Sequence, residues 1–199
     1  NFALANDIDA SGTVNWNGGA GFNPIGNSSN AFTGAFDGLN HTVTGLTINR
    51  STLEGVGLIG WGNNVKISNI GLVDSNIVGG RISGTLAGYL GYDSSIINSY
   101  TTGKLTVSSQ HAGGILGAFE NGTSELLNSY STVSINGNSI SSSIGGLIGT
   151  TNSATTISNS YYAGTIENGN NNVGGILGDS FNNNLININN SYVIGNVKG

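Results

Sequence analysis

A unit of about thirty residues returns five times along this chain. Each return opens on a glycine-flanked apolar pair and then presents an asparagine. The pairs are Leu58-Ile59, Tyr89-Leu90, Ile115-Leu116, Leu147-Ile148 and Ile176-Leu177, closed by Gly60, Gly91, Gly117, Gly149 and Gly178. The asparagines are Asn69, Asn98, Asn128, Asn159 and Asn190, so the steps between them are 29, 30, 31 and 31 residues. A repeat of that period predicts a stacked architecture in which each unit touches only its neighbours. The functional question then concerns the surface of a rod.

Composition agrees with short strands joined by tight turns. Charged residues make up only 8% of the 199, against about 25% in an ordinary soluble domain. Gly (34) and Asn (31) take their place, and both tolerate the left-handed backbone that turns demand. β-branched residues recur in register and the net charge is only -5, which argues against disorder. Five basic residues exclude a nucleic-acid footprint and electrostatic membrane attachment. No apolar run is long enough to insert in a membrane. The absence of Cys excludes disulfides, thiolate metal sites and Cys nucleophiles. The chain opens without Met, inside the strand-like Phe2-Ala3-Leu4-Ala5 and with no signal peptide, and reads as an excised piece of a longer polypeptide.

Aligned on the asparagine, the columns separate inside from outside. Two places before it stand Ile67, Ile96, Leu126, Ile157 and Ile188, aliphatic every time. One place before it the column is mixed: Ser68, Ile97, Leu127, Ser158 and Asn189. This alternation marks a strand with one face in the core. Seven places after the asparagine, the last four units give Leu105, Ile135, Ile166 and Val197, behind the polar Lys104, Ser134, Thr165 and Asn196. That is a second strand with the same logic, and the glycine-flanked pair supplies a third. The expected fold is all-β: a right-handed parallel β-helix with one coil of three short strands per unit. Variable loops are expected at Ser108 to Ala112, Asn136 to Ile144 and Glu167 to Val173. The five asparagines are expected to form a structural column, with amides bonded up and down the axis.

The whole chain, 1–199, reads as a single β-helix domain. Residues 55–199 hold the five repeats, and 1–54 are irregular lead-in coils. The lead-in carries a long loop over residues 12–31, with the only proline, Pro24. Asp37-Gly38 marks a tight turn there, and Val43, Leu46 and Ile48 resume a strand pattern.

The string from Phe32 to Ile48, Phe-Thr-Gly-Ala-Phe-Asp-Gly-Leu-Asn-His-Thr-Val-Thr-Gly-Leu-Thr-Ile, resembles the segment that precedes the GLUG repeats of large bacterial exoproteins. Gly113-Gly114-Ile115-Leu116-Gly117 with Asn128-Ser129-Tyr130, and Gly145-Gly146-Leu147-Ile148-Gly149 with Asn159-Ser160-Tyr161, resemble the repeats themselves. The first unit departs from the pattern, with Asn69-Ile70-Gly71 in place of Asn-Ser-Tyr. Such proteins are similar to filamentous-haemagglutinin-like adhesins of two-partner secretion. The resemblance implies a secreted or cell-surface shaft, exported by an outer-membrane transporter. It identifies a scaffold better than an activity.

The chemistry-bearing residues are sparse. Asp7, Asp9 and Asp37 are the only carboxylates that a β-helical polysaccharide-acting enzyme could bring together, and turn roles account for them equally well. His41 and His111 lack metal-ligand spacing and read as exposed or turn residues. Tyr100, Tyr130, Tyr161 and Tyr192 recur two places after the asparagine. They read as core or corner residues, with a sugar-stacking surface column as the alternative. Strict alternation would turn Leu58, Tyr89, Ile115, Leu147 and Ile176 outward as an apolar stripe, covered by packing within the parent protein. Five sequons stand at Asn27, Asn40, Asn49, Asn121 and Asn189. The expectation is a non-enzymatic structural or adhesive segment without metal or cofactor. Its partner would be a glycan, matrix or host-surface ligand; the alternative is a passive shaft for an activity located elsewhere.

Overall fold

A computed structural model describes residues 1–138 and 142–199. The chain winds into a β-solenoid of about six turns, roughly thirty residues each. Among the described residues the strands form three parallel sheets that run along the rod. The first sheet holds the long strands Ile59–Ser68, Leu116–Leu127 and Ile148–Ser158. The second holds the strands after the asparagine, such as Gly71–Gly79 and Tyr100–Val107. The third is short: Ile82–Gly84, His111–Gly113, Ser143–Gly145 and Val173–Gly174.

Register follows the columns. Ile96 pairs with Ile67 and Leu126, Leu126 with Ile157, and Ile157 with Ile188. Ile67, Ile96, Leu126 and Ile157 are all fully buried. In the second sheet Ile48, Ile77, Leu105, Ile135, Ile166 and Val197 form the matching file. Each enclosed aliphatic side chain contributes roughly 1.5–3 kcal/mol over an exposed one, and every coil repeats the gain.

The glycine-flanked pair differs from the sequence reading in two ways. In the second unit the pair level with Ile59 and Leu116 ends on Ala87, so Leu86-Ala87 fills the position and Gly88 closes it. Tyr89 and Leu90 lie further along the same strand, level with Ala118 and Phe119. No apolar stripe faces outward either. Leu86, Ile115 and Leu147 are fully buried and Leu58 nearly so. The chain bends sharply between the third and first sheets, which lets two consecutive residues point inward. Gly146 shows why the bend needs glycine: a Cβ there would collide with the Gly175 carbonyl and the Tyr162 ring. Tyr162 fills the interior, and its hydroxyl donates to the Val133 carbonyl at 2.9 Å.

The first turn is built differently. The residue 12–31 loop begins as two short 3-10 turns within Ser11–Gly19, kinked at Trp16, Asn17 and Gly18. This segment lies over the open lumen and leaves an apolar cavity of about 270 Å³ lined by Leu4, Ala10, Trp16, Phe22 and Leu46. Asp37-Gly38 does stand at a tight turn, with Leu39 and Asn40 at φ 49° and 66°. It carries the chain from Phe32–Asp37 in the first sheet to Thr42–Thr44 in the second instead of closing a hairpin. Of the expected variable loops, Asn136 to Ile144 lies partly outside the described residues.

Candidate functional site

The repeated triplet Asn-Ser-Tyr turns one corner of every regular coil. All five asparagines occupy the left-handed region, with φ between 49° and 55°, a conformation asparagine enters at less cost than most residues. The amides form a ladder. Asn98 Nδ2 donates to Asn69 Oδ1 at 3.1 Å, Asn128 to Asn98 at 3.1 Å, Asn159 to Asn128 at 3.1 Å and Asn190 to Asn159 at 3.3 Å. Asn69 Nδ2 in turn donates to Asp37 Oδ1 at 3.0 Å, so a carboxylate caps the N-terminal end.

A second ladder, which the sequence reading missed, runs beside it. The backbone N–H of Ser99 donates to Ser129 Oγ at 3.1 Å, Ser129 N–H to Ser160 Oγ at 3.2 Å, and Ser160 N–H to Ser191 Oγ at 3.2 Å. Each hydroxyl donates to the carbonyl two residues back, as Ser129 does to Leu127 at 2.8 Å. Ser99, Ser129 and Ser160 are buried, so the ladder satisfies corner groups that would otherwise be orphaned. The signal was present: serine follows the asparagine in every unit but the first.

The tyrosines form a third file, outside the core. Ring centroids are 5.0 Å apart for Tyr100–Tyr130, 4.8 Å for Tyr130–Tyr161 and 5.2 Å for Tyr161–Tyr192, with planes within 6° of parallel. Of the two expected places, core or corner, the rings take the corner. The left-handed asparagine breaks strand alternation, and the ring two places on emerges half-exposed. Tyr100 rests on Gly71, where a Cβ would collide with its ring. The first unit departs from Asn-Ser-Tyr for that reason: Gly71 is the floor of the stack and Ile70 is core. Because each inner ring is sandwiched, the file presents edges and hydroxyls, and the flat faces that would stack on a sugar are occupied. Burial, then the neighbouring Tyr161 and Tyr100, pushes the Tyr130 phenol above its ordinary value.

The opposite corner, between the third and first sheets, encloses a notch. Register sets Ile82 level with Tyr89, His111 with Ala118, and Ser143 with Thr150. One coil further, Asn172 Nδ2 donates to Asp179 Oδ2 at 2.9 Å. Large residues meet small ones: Gly55 lies against the Trp61 indole, and Ala118 is level with His111. His111 is therefore packed, contrary to the exposed role expected. Its ring stands 6.0 Å from Phe181, and its Nδ1, like Thr150 Oγ1, is buried without a hydrogen-bond partner among the described residues. Burial pulls its pKa below the ordinary value, and Arg81 adds to this. Arg81 bridges the rim, pairing with Glu54 and donating to Gln110 Oε1 at 2.9 Å. Burial raises Glu120 above the usual carboxylate range.

The three aspartates of the lead-in do not converge on a groove. Asp7 accepts from Thr42 N–H at 2.8 Å and pairs with His41 at 3.2 Å. Asp9 accepts from Ser11 N–H at 2.9 Å, and Asp37 from Leu39 N–H at 2.9 Å and from Asn69. Those hydrogen bonds, chiefly from Thr42, Ser11 and Leu39, hold all three carboxyls below the usual range. Among the described residues no group of three or more His, Asp or Glu is placed to hold a metal ion. The five sequon asparagines are exposed.

No protein-family model matches the chain, and no solved structure matches it. The chain is similar to halomucin of Haloquadratum walsbyi (strain DSM 16790 / HBSQ001), with 38% identity over 125 residues. The match covers 60% of this chain and 1% of halomucin, so the chain spans a very small part of that relative's length. The likeness to GLUG repeats rests on the motif residues alone.

Proposed function

We propose that this chain is a structural and adhesive segment of a large secreted or surface-exposed repeat protein. The observation that carries the reading is the triple ladder of Asn, Ser and Tyr. Its side chains bond mainly to copies of themselves in the next coil, which builds a rod and leaves activity to loops and rims. Similarity to halomucin, mucin-like by name, supports a surface or secreted location. The motif likeness to GLUG exoproteins supports export through an outer-membrane transporter in the two-partner manner. In this reading the segment attaches to a glycan, matrix or host-surface ligand and has no catalytic role of its own.

The test is an array of glycans and matrix proteins probed with the folded 199-residue chain. Saturable binding that disappears when the residue 20–31 loop is replaced is the expected result. A folded chain that binds nothing would replace adhesion with the second reading, a passive shaft. That reading draws on the same ladder and on the many side chains already paired along it.

A further inference from the structure

The chain has two arginines among its five basic residues, and both lie at one place on the rod. Arg50 lines a pocket of about 360 Å³ together with Asn23, Pro24, Asn27, Glu54 and Trp61. Arg81 pairs with Glu54 at its edge. The two cations outnumber the one carboxylate, so the site is locally positive on a chain of net charge -5.

Trp61 is held as a platform. Its Nε1 donates to the Glu54 carbonyl at 3.0 Å. Tyr89, one coil further on, covers one side of the indole, with centroids 4.1 Å apart and planes 31° from parallel. On the other side of this strand Phe32 pairs with Gly62, and Asn27, in the turn before Phe32, lines the pocket with Trp61. The pocket therefore borders the side of the indole that Tyr89 leaves open. This is what the tyrosine file lacks, since its inner rings cover one another.

Arg50 is also fixed. Its Nε donates to the Phe22 carbonyl at 3.2 Å and its Nη2 to Asn23 Oδ1. Its Nη1 has no partner among the described residues. A guanidinium held in this way suits a carboxylate, because charge-assisted bonds from its planar fork are strong and directional. An aromatic face suits the apolar C–H face of a pyranose. The amides of Asn23 and Asn27 offer donors and acceptors for ring hydroxyls.

We infer that Trp61 and Arg50 form a subsite for an acidic sugar, a uronate-type pyranose whose ring stacks on the indole and whose carboxylate meets the guanidinium. The inference rests on the adhesive reading above and names its site and ligand class. The residue 12–31 loop supplies Asn23, Pro24 and Asn27, so the irregular lead-in would carry the recognition.

The experiment uses the intact chain with Trp16→Phe, which leaves Trp61 as the single indole. Trigalacturonate and its methyl ester are titrated against tryptophan fluorescence. The expected result is a saturable change with trigalacturonate and binding weaker by ~10-fold or more with the uncharged ester. Arg50→Gln should weaken trigalacturonate to a similar degree while the far-ultraviolet circular dichroism is unchanged. Trp61→Ala, followed by calorimetry, should abolish binding; if that variant fails to fold, Arg50→Gln decides. No saturable response, or an equal response from the ester and from Arg50→Gln, overturns the subsite. Array binding that survives Arg50→Gln would overturn the subsite and leave the adhesive reading standing.

Discussion

The two corners of the coil solve the same problem in opposite ways. At the asparagine corner every coil repeats the same residues, and each side chain bonds to its own copy one coil along. At the glycine corner the residues differ from coil to coil, and each row is fitted across the notch by size: Trp61 against Gly55, His111 level with Ala118, Asn172 bonded to Asp179. A self-complementary corner fixes register, because a slip by one residue breaks several parallel ladders together. A hetero-complementary corner leaves room for variety, and Glu54, Trp61, Arg81 and His111 stand around it.

Substitutions should separate the corners, beginning with the strand that feeds the first. Leu126→Asp places an unpaired carboxylate in the file between Ile96 and Ile157. It should cost more than ~4 kcal/mol and abolish the cooperative thermal transition. At the glycine corner, Gly146→Val should be nearly as damaging, because the Gly175 carbonyl and Tyr162 leave no room for a side chain. A transition within a few degrees of the parent for Gly146→Val would refute the tight bend.

Asparagine-corner variants come next. Asn128→Ala removes two amide hydrogen bonds worth about 0.5–1.5 kcal/mol each and puts alanine in a left-handed conformation at about 1–2 kcal/mol. A loss of roughly 2–5 kcal/mol is expected in denaturant unfolding. Asn128→Gly keeps the backbone freedom and should lose only the amide part. No loss for Asn128→Gly would mean that the ladder contributes nothing beyond conformation.

The notch should show in the pH dependence. His111 has a folded pKa below its unfolded value near 6.5, so the folded state binds fewer protons. Its contribution is fully present above about pH 6.5 and is lost as pH falls toward and through the lower folded value. Asp7, Asp9 and Asp37, also depressed, add a second loss below about pH 4. His111→Gln should flatten the first phase and leave the second. The smallest effect is expected from Lys104→Asp on the exposed second sheet, within about 0.5 kcal/mol in the same denaturant assay.

The same contrast explains what the sequence disclosed. Whatever repeats in kind was legible: the aliphatic file through Leu126, the second file through Leu105, the asparagine spacing. Serine at the corner is equally periodic, but its role depends on a backbone N–H of the neighbouring coil, which no side-chain pattern displays. The tyrosines could not be assigned to core or corner from the pattern, because a left-handed asparagine resets the strand alternation before them. Whatever depends on complementarity between unlike residues left no period to read. Tyr89-Leu90 looked like the glycine-flanked pair by spacing alone, yet Leu86-Ala87 holds that place. His111 and Ala118 stand level across the notch within one coil, and no residue type repeats at either position to link them. The Trp61 pocket draws on Asn23 and Asn27 from one segment and on Arg50 and Glu54 from another.

A double-mutant cycle on Asn128 and Asn159 tests the central claim most directly, since Asn159 Nδ2 donates to Asn128 Oδ1 at 3.1 Å. Stabilities of Asn128→Ala, Asn159→Ala and the double variant would be measured by denaturant unfolding. Self-complementary stacking predicts a coupling of about 0.5–1.5 kcal/mol. It also predicts almost no coupling for Asn98 with Asn159, which are separated by Asn128. Strict additivity for the adjacent pair would contradict the account.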